Sequence, residues 1–410
     1  MPTQDQLSDY AEVAIGVGLG LGPDDRLVIN SPIDARDFTR LLVDVAYRKG
    51  AGNVDVIWTD EEVTRSRFAS GPPAASEAIT GFGHLLNATT ESGDYLLYIL
   101  AEDPDLLADQ DPEKVARFRK LNSEFTKPLR DSTGSNKQNW AIVSVPTPSW
   151  ARSVFPDRAE EDGMETLWQA ILRTCRVDQP DPVEAWRAHV EHLAARAAFL
   201  TGRGYDSLRY SGPGTDLVVG LPARHQWVGG QTTSQAGVGF VPNLPTEEVF
   251  TSPDRERAEG TIAATKPLSL FGSLVEDFSF SVVGGRVVEA RAGRGQAVLD
   301  QLLHVDEGSV RFGEVALVPE SSVVAREGLI WRNMLFDEND ACHIALGKGF
   351  PLALDGGTDM GQEELQSRGI NESSVHVDFV VGSGDLNVYG DLGDGSEEMI
   401  LERGEWAFGL

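Results

Sequence analysis

The sequence predicts an α/β protein in which an N-terminal doubly wound α/β domain is followed by a sheet-rich α+β domain. Strand and helix patterns alternate over the first half, whereas strand patterns punctuated by glycine dominate the second. Between them lies TGRGYDSLRYSGPGTD, which is rich in glycine and turn-forming residues. At roughly 150 residues per domain, the length argues for at least two domains. We therefore predict domains at 1–204 and 205–410.

The N-terminal half carries strands separated by helical runs, which predicts a parallel sheet. The predicted strands are RLVIN (26–30), VDVIW (54–58), DYLLYIL (94–100) and AIVSVPTP (141–148). The predicted helices are 5–18, 34–49, 112–127, 159–176 and 183–201, and the third of them carries apolar Val115, Phe118, Leu121 and Phe125 at helical spacing.

The C-terminal half is dominated by short apolar runs that predict strands. They include DLVVGLP, FSFSVVGGRVVEARAG, GEVALV, VHVDFVVG and LNVYG. The segment DLNVYGDLGDG (385–395) predicts a hairpin, because its acidic residues do not follow the spacing of a calcium loop.

Charge and cysteine content limit the classes of partner and compartment. The net charge is −29, from 64 acidic and 35 basic residues, so the surface repels nucleic acid and anionic membranes. Two cysteines, Cys175 and Cys342, make no disulfide framework. The first residues, MPTQDQLSDY, lack a signal-peptide pattern, and no apolar run approaches the ~20 residues that span a bilayer. We predict a cytoplasmic protein.

Two polar residues interrupt an apolar strand pattern near the C-terminus. In SSVHVDFVVGS, His376 and Asp378 are two positions apart and therefore point to the same face of a strand. An imidazole beside a carboxylate on such a strand suits a metal ion, since burying an unpaired charge is costly. The alternative is a polar stripe that faces solvent.

Further carboxylates lie in or beside apolar runs of the same half. Glu314 lies in RFGEVALV, and Glu247 and Glu248 lie in PNLPTEEVF. His343 follows Glu338 by five residues in LFDENDACHIALG, a segment that predicts a loop-to-helix junction. Each residue alone is typical of a solvated or packed position. Together they supply the mixed Glu, Asp and His ligands of a two-metal site, with ions ~3.5–4 Å apart.

Six strings occur in order in the second half: GTDLVVGLP, PNLPTEEVF, EGTIAATKPL, GEVALV, LFDENDACHIALG and NESSVHVDFVVGSGDL. In them the chain resembles the thermophilic aminopeptidase family of metallopeptidases, the aminopeptidase T and aminopeptidase S group. The resemblance covers 205–410 through these motifs and the first half through its architecture. It implies a homodimer with a C-terminal metal-binding catalytic domain that removes N-terminal residues from peptides, supported by zinc, cobalt or manganese.

The resemblance also implies a ligand set of six residues for two divalent ions. They are Glu248, Glu314, Glu338, His343, His376 and Asp378. Two such cations make water acidic enough to supply hydroxide near neutral pH. Glu248 or Glu314 would accept the proton of the attacking water. The free amine of the substrate would be held by a metal or by a carboxylate.

One position departs from the family pattern. Family members carry Tyr seven residues after the ligand histidine, whereas this chain has Phe350 in ALGKGFPL. A phenol at this catalytic position can donate a hydrogen bond to the tetrahedral oxyanion, and Phe cannot. The loss of one such donor typically costs ~2.7–4 kcal/mol of transition-state stabilisation. The departure predicts a slower or altered enzyme.

Two other functions remain open from the sequence. Ring-cleaving dihydroxypyridine dioxygenases resemble relatives of this fold, and His343, His376 and Asp378 alone would make the two-histidine, one-carboxylate triad of a mononuclear non-haem iron site. Glu248 and Glu314 favour the hydrolase because they supply a second metal position. A non-catalytic metal-binding or peptide-binding protein is the other alternative, motivated by Phe350.

Overall fold

The computed structural model describes residues 1–270 and 273–409 and confirms the predicted α/β class. The chain divides into two compact units, each assembled from three stretches. The first unit contains Met1–Val190, Gln231–Thr246 and Leu329–Leu335, and the second contains Glu191–Gly230, Glu247–Gly328 and Phe336–Leu410. The predicted domain boundary between residues 204 and 205 stays a prediction.

The elements up to residue 203 include the four predicted strands and the five predicted helices, together with four further α-helices that were not predicted. The strands are β1 Arg26–Pro32, β2 Asn53–Thr59, β3 Tyr95–Ile99 and β4 Trp140–Val143. The helices are α1 Gln4–Val13, α2 Arg36–Arg48, α3 Glu61–Ala69, α4 Gly81–Ser92, α5 Pro112–Phe125, α6 Lys127–Gly134, α7 Pro148–Val154, α8 Glu160–Thr174 and α9 Pro182–Arg203. The four strands form a parallel sheet in the order β2-β1-β3-β4. Strand order and helical crossovers fit the predicted doubly wound sheet.

Local sequence explains where two of these elements begin or end. Helix α1 begins with a capping box in which Thr3 accepts from the Gln6 amide and Gln6 accepts from the Thr3 amide. It continues as a π-helical turn over Ala14–Gly18, so the predicted helix 5–18 is one α-helical and one π-helical segment. Strand β4 ends at Val143, short of the predicted residue 148, because Pro146 cannot donate to a sheet ladder.

The elements after residue 205 are mostly short strands. The strands are β5 Ser207–Gly212, β6 Thr215–Gly220, β7 Val228–Gly229, β8 Thr232–Thr233, β9 Gly239–Phe240, β10 Val249–Thr251, β11 Ala258–Ala263, β12 Leu268–Leu270, β13 Ser273–Val283, β14 Arg286–Arg294, β15 Phe312–Leu317, β16 His343–Gly347, β17 His376–Val380, β18 Asn387–Asp391, β19 Glu397–Glu402 and β20 Glu405–Trp406. The helices are α10 Gln296–Leu303, α11 Met334–Asp337 and α12 Gln362–Ser367.

Two antiparallel sheets organise the second unit. Nine strands form one sheet in the order β12-β13-β11-β6-β5-β18-β19-β20, with β14 paired to β13. Five strands form the other in the order β17-β16-β15-β10-β7. Val315, Ile344 and Phe379 on the five-stranded sheet are buried in one apolar core with Leu208 and Phe280 of the nine-stranded sheet. One face of the five-stranded sheet is therefore committed to packing.

The structure corrects one local prediction and confirms another. The loop-to-helix junction predicted at His343 is wrong, because His343 is the first residue of strand β16. The run HIALG is fully buried in mid-sheet, where its pairing partners on β15 and β17 determine its conformation. The predicted hairpin at DLNVYGDLGDG is confirmed by the antiparallel pairing of β18 with β19.

Within the described ranges, no helix combines the length and apolar character needed to cross a membrane.

Candidate metal centre

The register of the five-stranded sheet brings four predicted ligands to one face. Glu314 on β15 pairs with Ala345 on β16, which pairs with Asp378 on β17. Directly paired residues in an antiparallel ladder share a face. His343 lies two residues before Ala345, and His376 lies two residues before Asp378, so both imidazoles join that face. It is the face opposite the apolar core.

Glu248 reaches the same face from the neighbouring strand. It directly precedes β10, where Phe250 pairs with Ala316, and Ala316 pairs with His343. Since Glu248 and Phe250 are two residues apart, extended backbone turns both side chains toward His343. The outcome is a distance of 3.1 Å between Glu248 Oε2 and His343 Nε2.

The side chains form two ligand groups that share one carboxylate. Glu248, Glu314 and His343 make the first group, and Glu314, His376 and Asp378 make the second. In each group the possible ligand atoms all lie within 4.8 Å of one another. Glu314 places Oε1 3.9 Å from His343 Nε2 and Oε2 3.1 Å from His376 Nε2. Its two oxygens therefore face different groups.

Backbone carbonyls orient both imidazoles. His343 Nδ1 donates to the Ala341 carbonyl at 3.2 Å, and His376 Nδ1 donates to the Lys348 carbonyl at 2.7 Å. A carbonyl oxygen can only accept, so Nδ1 carries the proton in both rings. Each Nε2 is thereby left facing the carboxylates, which is the arrangement of a histidine whose second nitrogen binds a metal.

The charges of the cluster do not balance without a cation. Burial and the charge of Glu248 raise the pKa of Glu314 to about 7. Burial and the same neighbour raise the pKa of Glu338 well above its ordinary range. Burial alone would lower the pKa of His343, but Glu248, Asp378 and Glu314 raise it to about 10. In the metal-free chain, protons thus supply the positive charge that the carboxylates require.

The residues fit divalent cations on independent grounds. Asp378 Oδ1 is buried and makes no hydrogen bond within the described part of the chain, although it lies 3.4 Å from His376 Nε2. Oxygen and imidazole nitrogen are ligands that zinc accepts, and a set of carboxylates and imidazoles around a shared carboxylate suits two close ions. A cation would satisfy the orphan oxygen and replace the protons.

Glu338 and Phe350 occupy the edges of this centre. Glu338 is half-buried, and its carboxyl interacts with Glu248, Asp378 and His343, but its oxygens are not in either ligand group. The Phe350 ring lies 4.9 Å from the His376 ring, and its backbone N–H donates to Ser252 Oγ at 2.8 Å.

Sequence reasoning missed the residues that support the ligands. Asn339 is fully buried; its Oδ1 accepts the Glu247 N–H at 2.8 Å and its Nδ2 donates to Glu338 Oε1 at 3.4 Å. It thus links the segment that carries Glu248 to the segment that carries Glu338. Ala345 lies between Glu314 and Asp378. The only available signal was position, since Asn339 follows one predicted ligand and Ala345 lies two residues after another.

Comparisons with known proteins agree along almost the whole chain. A family model described as thermophilic metalloprotease (M29) matches residues 3–406. Aminopeptidase 2 of Geobacillus stearothermophilus is 42% identical over 406 residues, covering 99% of this chain and 98% of the relative. Aminopeptidase T of Thermus thermophilus is 43% identical over 402 residues, covering 98% of each.

A solved structure is similar at the level of the fold. Wild-type AmpT from Thermus thermophilus matches with a TM-score of 0.92 and 41% sequence identity, covering 98% of this chain and 99% of that one. The family resemblance carried by the six sequence motifs is confirmed. By the extent of the family match and the identity to full-length relatives, the chain belongs to the thermophilic metalloprotease (M29) family.

Proposed function

We propose that this chain is a metal-dependent aminopeptidase that hydrolyses the first residue from peptides through a dinuclear site. The observation that carries the proposal is the position of Glu314, whose two oxygens face two separate groups of ligand atoms. Curated relatives named aminopeptidase, matched over nearly their full length, support the choice of reaction.

The ligands divide between the two ions as the geometry groups them. Glu248, Glu314 and His343 would hold one ion, and Glu314, His376 and Asp378 the other. Glu338 would join the first group, because Glu248 is its strongest charged neighbour and a cation between them would remove their repulsion. Zinc, cobalt and manganese all accept such ligands.

The chain's own carboxylates would handle the proton of the attacking water. Divalent cations bound here would acidify water and polarise the scissile carbonyl. Glu248 and Glu314 are the carboxylates nearest the imidazoles, and either can accept the proton and return it to the leaving amine. Both are held in the sheet or at the start of a strand, so neither has to move far to do so.

The negative character of the site favours a free N-terminus over an internal peptide bond. Four carboxylates face two imidazoles, and Glu338 is the one outside the two tight groups. An α-ammonium group can pair with such a carboxylate, whereas a peptide N–H carries no charge. The site therefore accounts for exopeptidase action without a nucleophilic Ser or Cys. Cys342 is buried in the core and donates to the Val318 carbonyl, away from this chemistry.

The geometry favours a hydrolase over the iron dioxygenase. A two-histidine, one-carboxylate triad needs only His343, His376 and Asp378. Here Glu248 and Glu314 also lie within 4 Å of the imidazoles, and they supply a second ligand group that the triad does not require.

Two measurements test the proposal. Elemental analysis after loading with zinc, cobalt or manganese should give two ions per chain. The loaded protein should release the first residue from a short peptide and leave the same peptide uncut when its amine is acetylated, because the buried acceptors of the ammonium would lose their partner. Equal cleavage of both peptides would indicate an endopeptidase or amidase. Ferrous-dependent oxygen uptake with a dihydroxypyridine would support the dioxygenase.

We further propose a cytoplasmic homodimer. The dimer rests on the family resemblance, and the compartment rests on the cysteine content, since two cysteines make no disulfide framework of the kind that small secreted proteins carry. Light scattering coupled to size-exclusion chromatography should give twice the chain mass of 44.4 kDa.

A further inference from the structure

Three arginines from three separate turns of the second unit come together outside the metal centre. Arg255 lies between strands β10 and β11, Arg286 is the first residue of β14, and Arg311 directly precedes β15. None of them belongs to either ligand group. In a chain with a net charge of −29, such a local concentration of positive charge is unexpected.

Backbone contacts hold these turns against one another. Arg311 Nη1 donates to the Arg255 carbonyl at 2.6 Å, and the Arg311 carbonyl accepts from the Gly347 N–H at 2.8 Å. Gly285 has a φ of +71° and lies so close to the Arg255 carbonyl that a Cβ would be 2.1 Å from its oxygen. Only glycine permits this approach, which brings the next residue, Arg286, beside Arg255. The arrangement of the three arginines is therefore fixed by the fold.

One carboxylate, Glu307, reaches these arginines, but it pairs with them only loosely. Its Oε1 lies 4.0 Å from Arg255 Nη2 and 4.0 Å from Arg286 Nη1, beyond hydrogen-bond distance of either. Its side chain is 78% exposed, whereas that of Arg255 is 15% exposed. Arg311 is 8% exposed and forms no ion pair within residues 1–270 and 273–409. In the same ranges, the buried Nε atoms of Arg255 and Arg311 have no hydrogen-bond partner.

The positive charges of the three side chains act on one another. Burial lowers the pKa of Arg311, and the charges of Arg255 and Arg286 lower it further. Glu256 and Glu307, both exposed, oppose this shift without reversing it. Arginine nevertheless keeps its proton in a protein, so the repulsion persists. An anion among the three guanidiniums would replace this repulsion with attraction and would supply acceptors for their donors.

We propose that Arg255, Arg286 and Arg311 bind a tetrahedral dianion of the phosphate class. A planar guanidinium presents paired N–H donors that match the oxygens of phosphate. Guanidiniums carried by three separate turns offer donors from more than one direction, which suits a tetrahedral set of oxygens better than the planar pair of a carboxylate. The exposed Glu307 side chain would turn away into solvent when the anion enters. The inference stands apart from the proposed aminopeptidase function, because binding needs no turnover.

The first test is calorimetric titration of the metal-loaded, full-length protein with sodium phosphate, sodium sulfate and sodium acetate at constant ionic strength. Phosphate and sulfate should bind at one site per chain, and acetate should bind at least ~10-fold more weakly. Arg255→Gln and Arg286→Gln should each weaken phosphate binding about tenfold or more, because each removes hydrogen bonds to a charged group. Arg286→Lys keeps the charge but loses the paired donors, so its affinity should fall between those of Arg286→Gln and the parent.

Two further variants control for overall charge and for the competing carboxylate. Arg291→Gln also removes a cation from β14, but Arg291 is 76% exposed and pairs with Glu289 at 2.7 Å, so phosphate binding should stay as in the parent. Glu307→Gln removes the carboxylate that competes with the anion and should tighten phosphate binding. Metal content should match that of the parent in every variant, since phosphate held by the metal ions would not respond to these substitutions.

The second test uses stability, because a ligand that binds only the folded chain raises the thermal midpoint. Phosphate should raise the midpoint of the parent and of Arg291→Gln, but not that of the double variant Arg255→Gln/Arg286→Gln. Equal phosphate binding by the parent and the double variant would overturn the proposal, as would a parent that binds neither phosphate nor sulfate. If such a parent forms a dimer that the double variant loses, the arginines pair with carboxylates of a second copy instead.

Discussion

The two ligand groups share Glu314 but lie in different surroundings. His343 and Glu248, in the first group, have side chains that are 1% and 11% exposed. His376, in the second, is 26% exposed and lies against the ring of Phe350. The first group is thus set into the protein and braced by Asn339, while the second is partly exposed to solvent. Under the proposed dinuclear function, the comparison predicts that the first group holds its ion more tightly and that the second group is the one that contacts the substrate.

Removing the carboxylate that joins the groups should have the largest effect. Glu314→Gln should weaken both ions and lower kcat/KM by more than ~10²-fold, because residues that only support a metal ligand already account for 10–100-fold. Metal content and kcat/KM should be measured together. The control is Glu307→Gln, whose side chain is 78% exposed and lies outside both groups. Loss of a single ion from Glu314→Gln would show that the groups do not share this ligand.

The difference between the two groups can be tested further at Phe350, whose ring lies against His376 of the more exposed group. If its ring faces the scissile carbonyl, Phe350→Tyr should raise kcat by up to ~10²-fold, since a new hydroxyl would donate to the developing oxyanion. KM should change less, because that hydrogen bond strengthens only as charge develops. Both proteins should be compared on one peptide at equal metal occupancy. A rate equal to or below that of the parent would make Phe350 a packing residue only.

Metal binding by the more buried group, which contains Glu248 and His343, can be weakened by replacing Asn339. Asn339→Ala removes the acceptor of the Glu247 N–H and the donor to Glu338, so metal affinity should fall ~10–100-fold. Leaving that buried N–H unpaired should also cost about 1–3 kcal/mol of unfolding free energy. Asn339→Asp keeps the acceptor for the Glu247 N–H but places a second carboxylate against Glu338, so it should not restore affinity, and it should be more stable than Asn339→Ala only at low pH, where the new carboxyl is protonated. Metal affinity equal to that of the parent in both variants would limit Asn339 to folding.

The smallest effect should be the pH dependence of stability in the metal-free protein. The pKa of His343 is raised from 6.5 to about 10, so its stabilisation is complete below pH 6.5 and is lost as pH rises through about 10. The pKa of Glu314 is raised from 4.5 to about 7, so its contribution is complete below pH 4.5 and is lost by about pH 7. Both have the same sign, and the thermal midpoint should fall as pH rises through this range.

Saturating metal should remove much of this decrease of the thermal midpoint with pH, because bound ions replace the protons on His343 and Glu314. Thermal melts with chelator and with zinc, across the same pH series, compare the two states directly. A chelated protein whose midpoint rises from pH 6.5 to 10 would contradict the charge assignment of the cluster.

Local patterns in the sequence were enough for part of this structure. His376 and Asp378 could be placed on one face because strand geometry relates positions two apart. The four parallel strands and five helices of the first half followed from local patterns in the same way, whereas helices α3, α4, α6 and α7 were not predicted. Glu314 and its neighbours could be predicted as ligands because burying a carboxylate in an apolar run is costly unless the carboxylate is paired. The family motifs then completed the set.

What the sequence could not supply was register. Glu314, Ala345 and Asp378 meet because three strands separated by about thirty residues each pair in one alignment. No local signal encodes that alignment, since a one-residue slip would turn every ligand into the core. His343 was misassigned for the same reason: the five residues HIALG are too short to distinguish a buried strand from a helix, and strand pairing decides.

Ala345 carries no reactive group, yet it determines how much room a bound metal would have between Glu314 and Asp378. Its methyl group lies between Glu314 and Asp378, and the next position on that face is Gly347, where a Cβ would meet the Val375 carbonyl oxygen at 2.1 Å. The floor of the centre is therefore made of the two smallest side chains available. A branched residue at 345 would occupy the volume of the cations while leaving every ligand in the sequence. Catalysis in this fold can thus be lost at a position that an inventory of reactive groups would overlook, leaving a sheet that still presents its carboxylates and imidazoles.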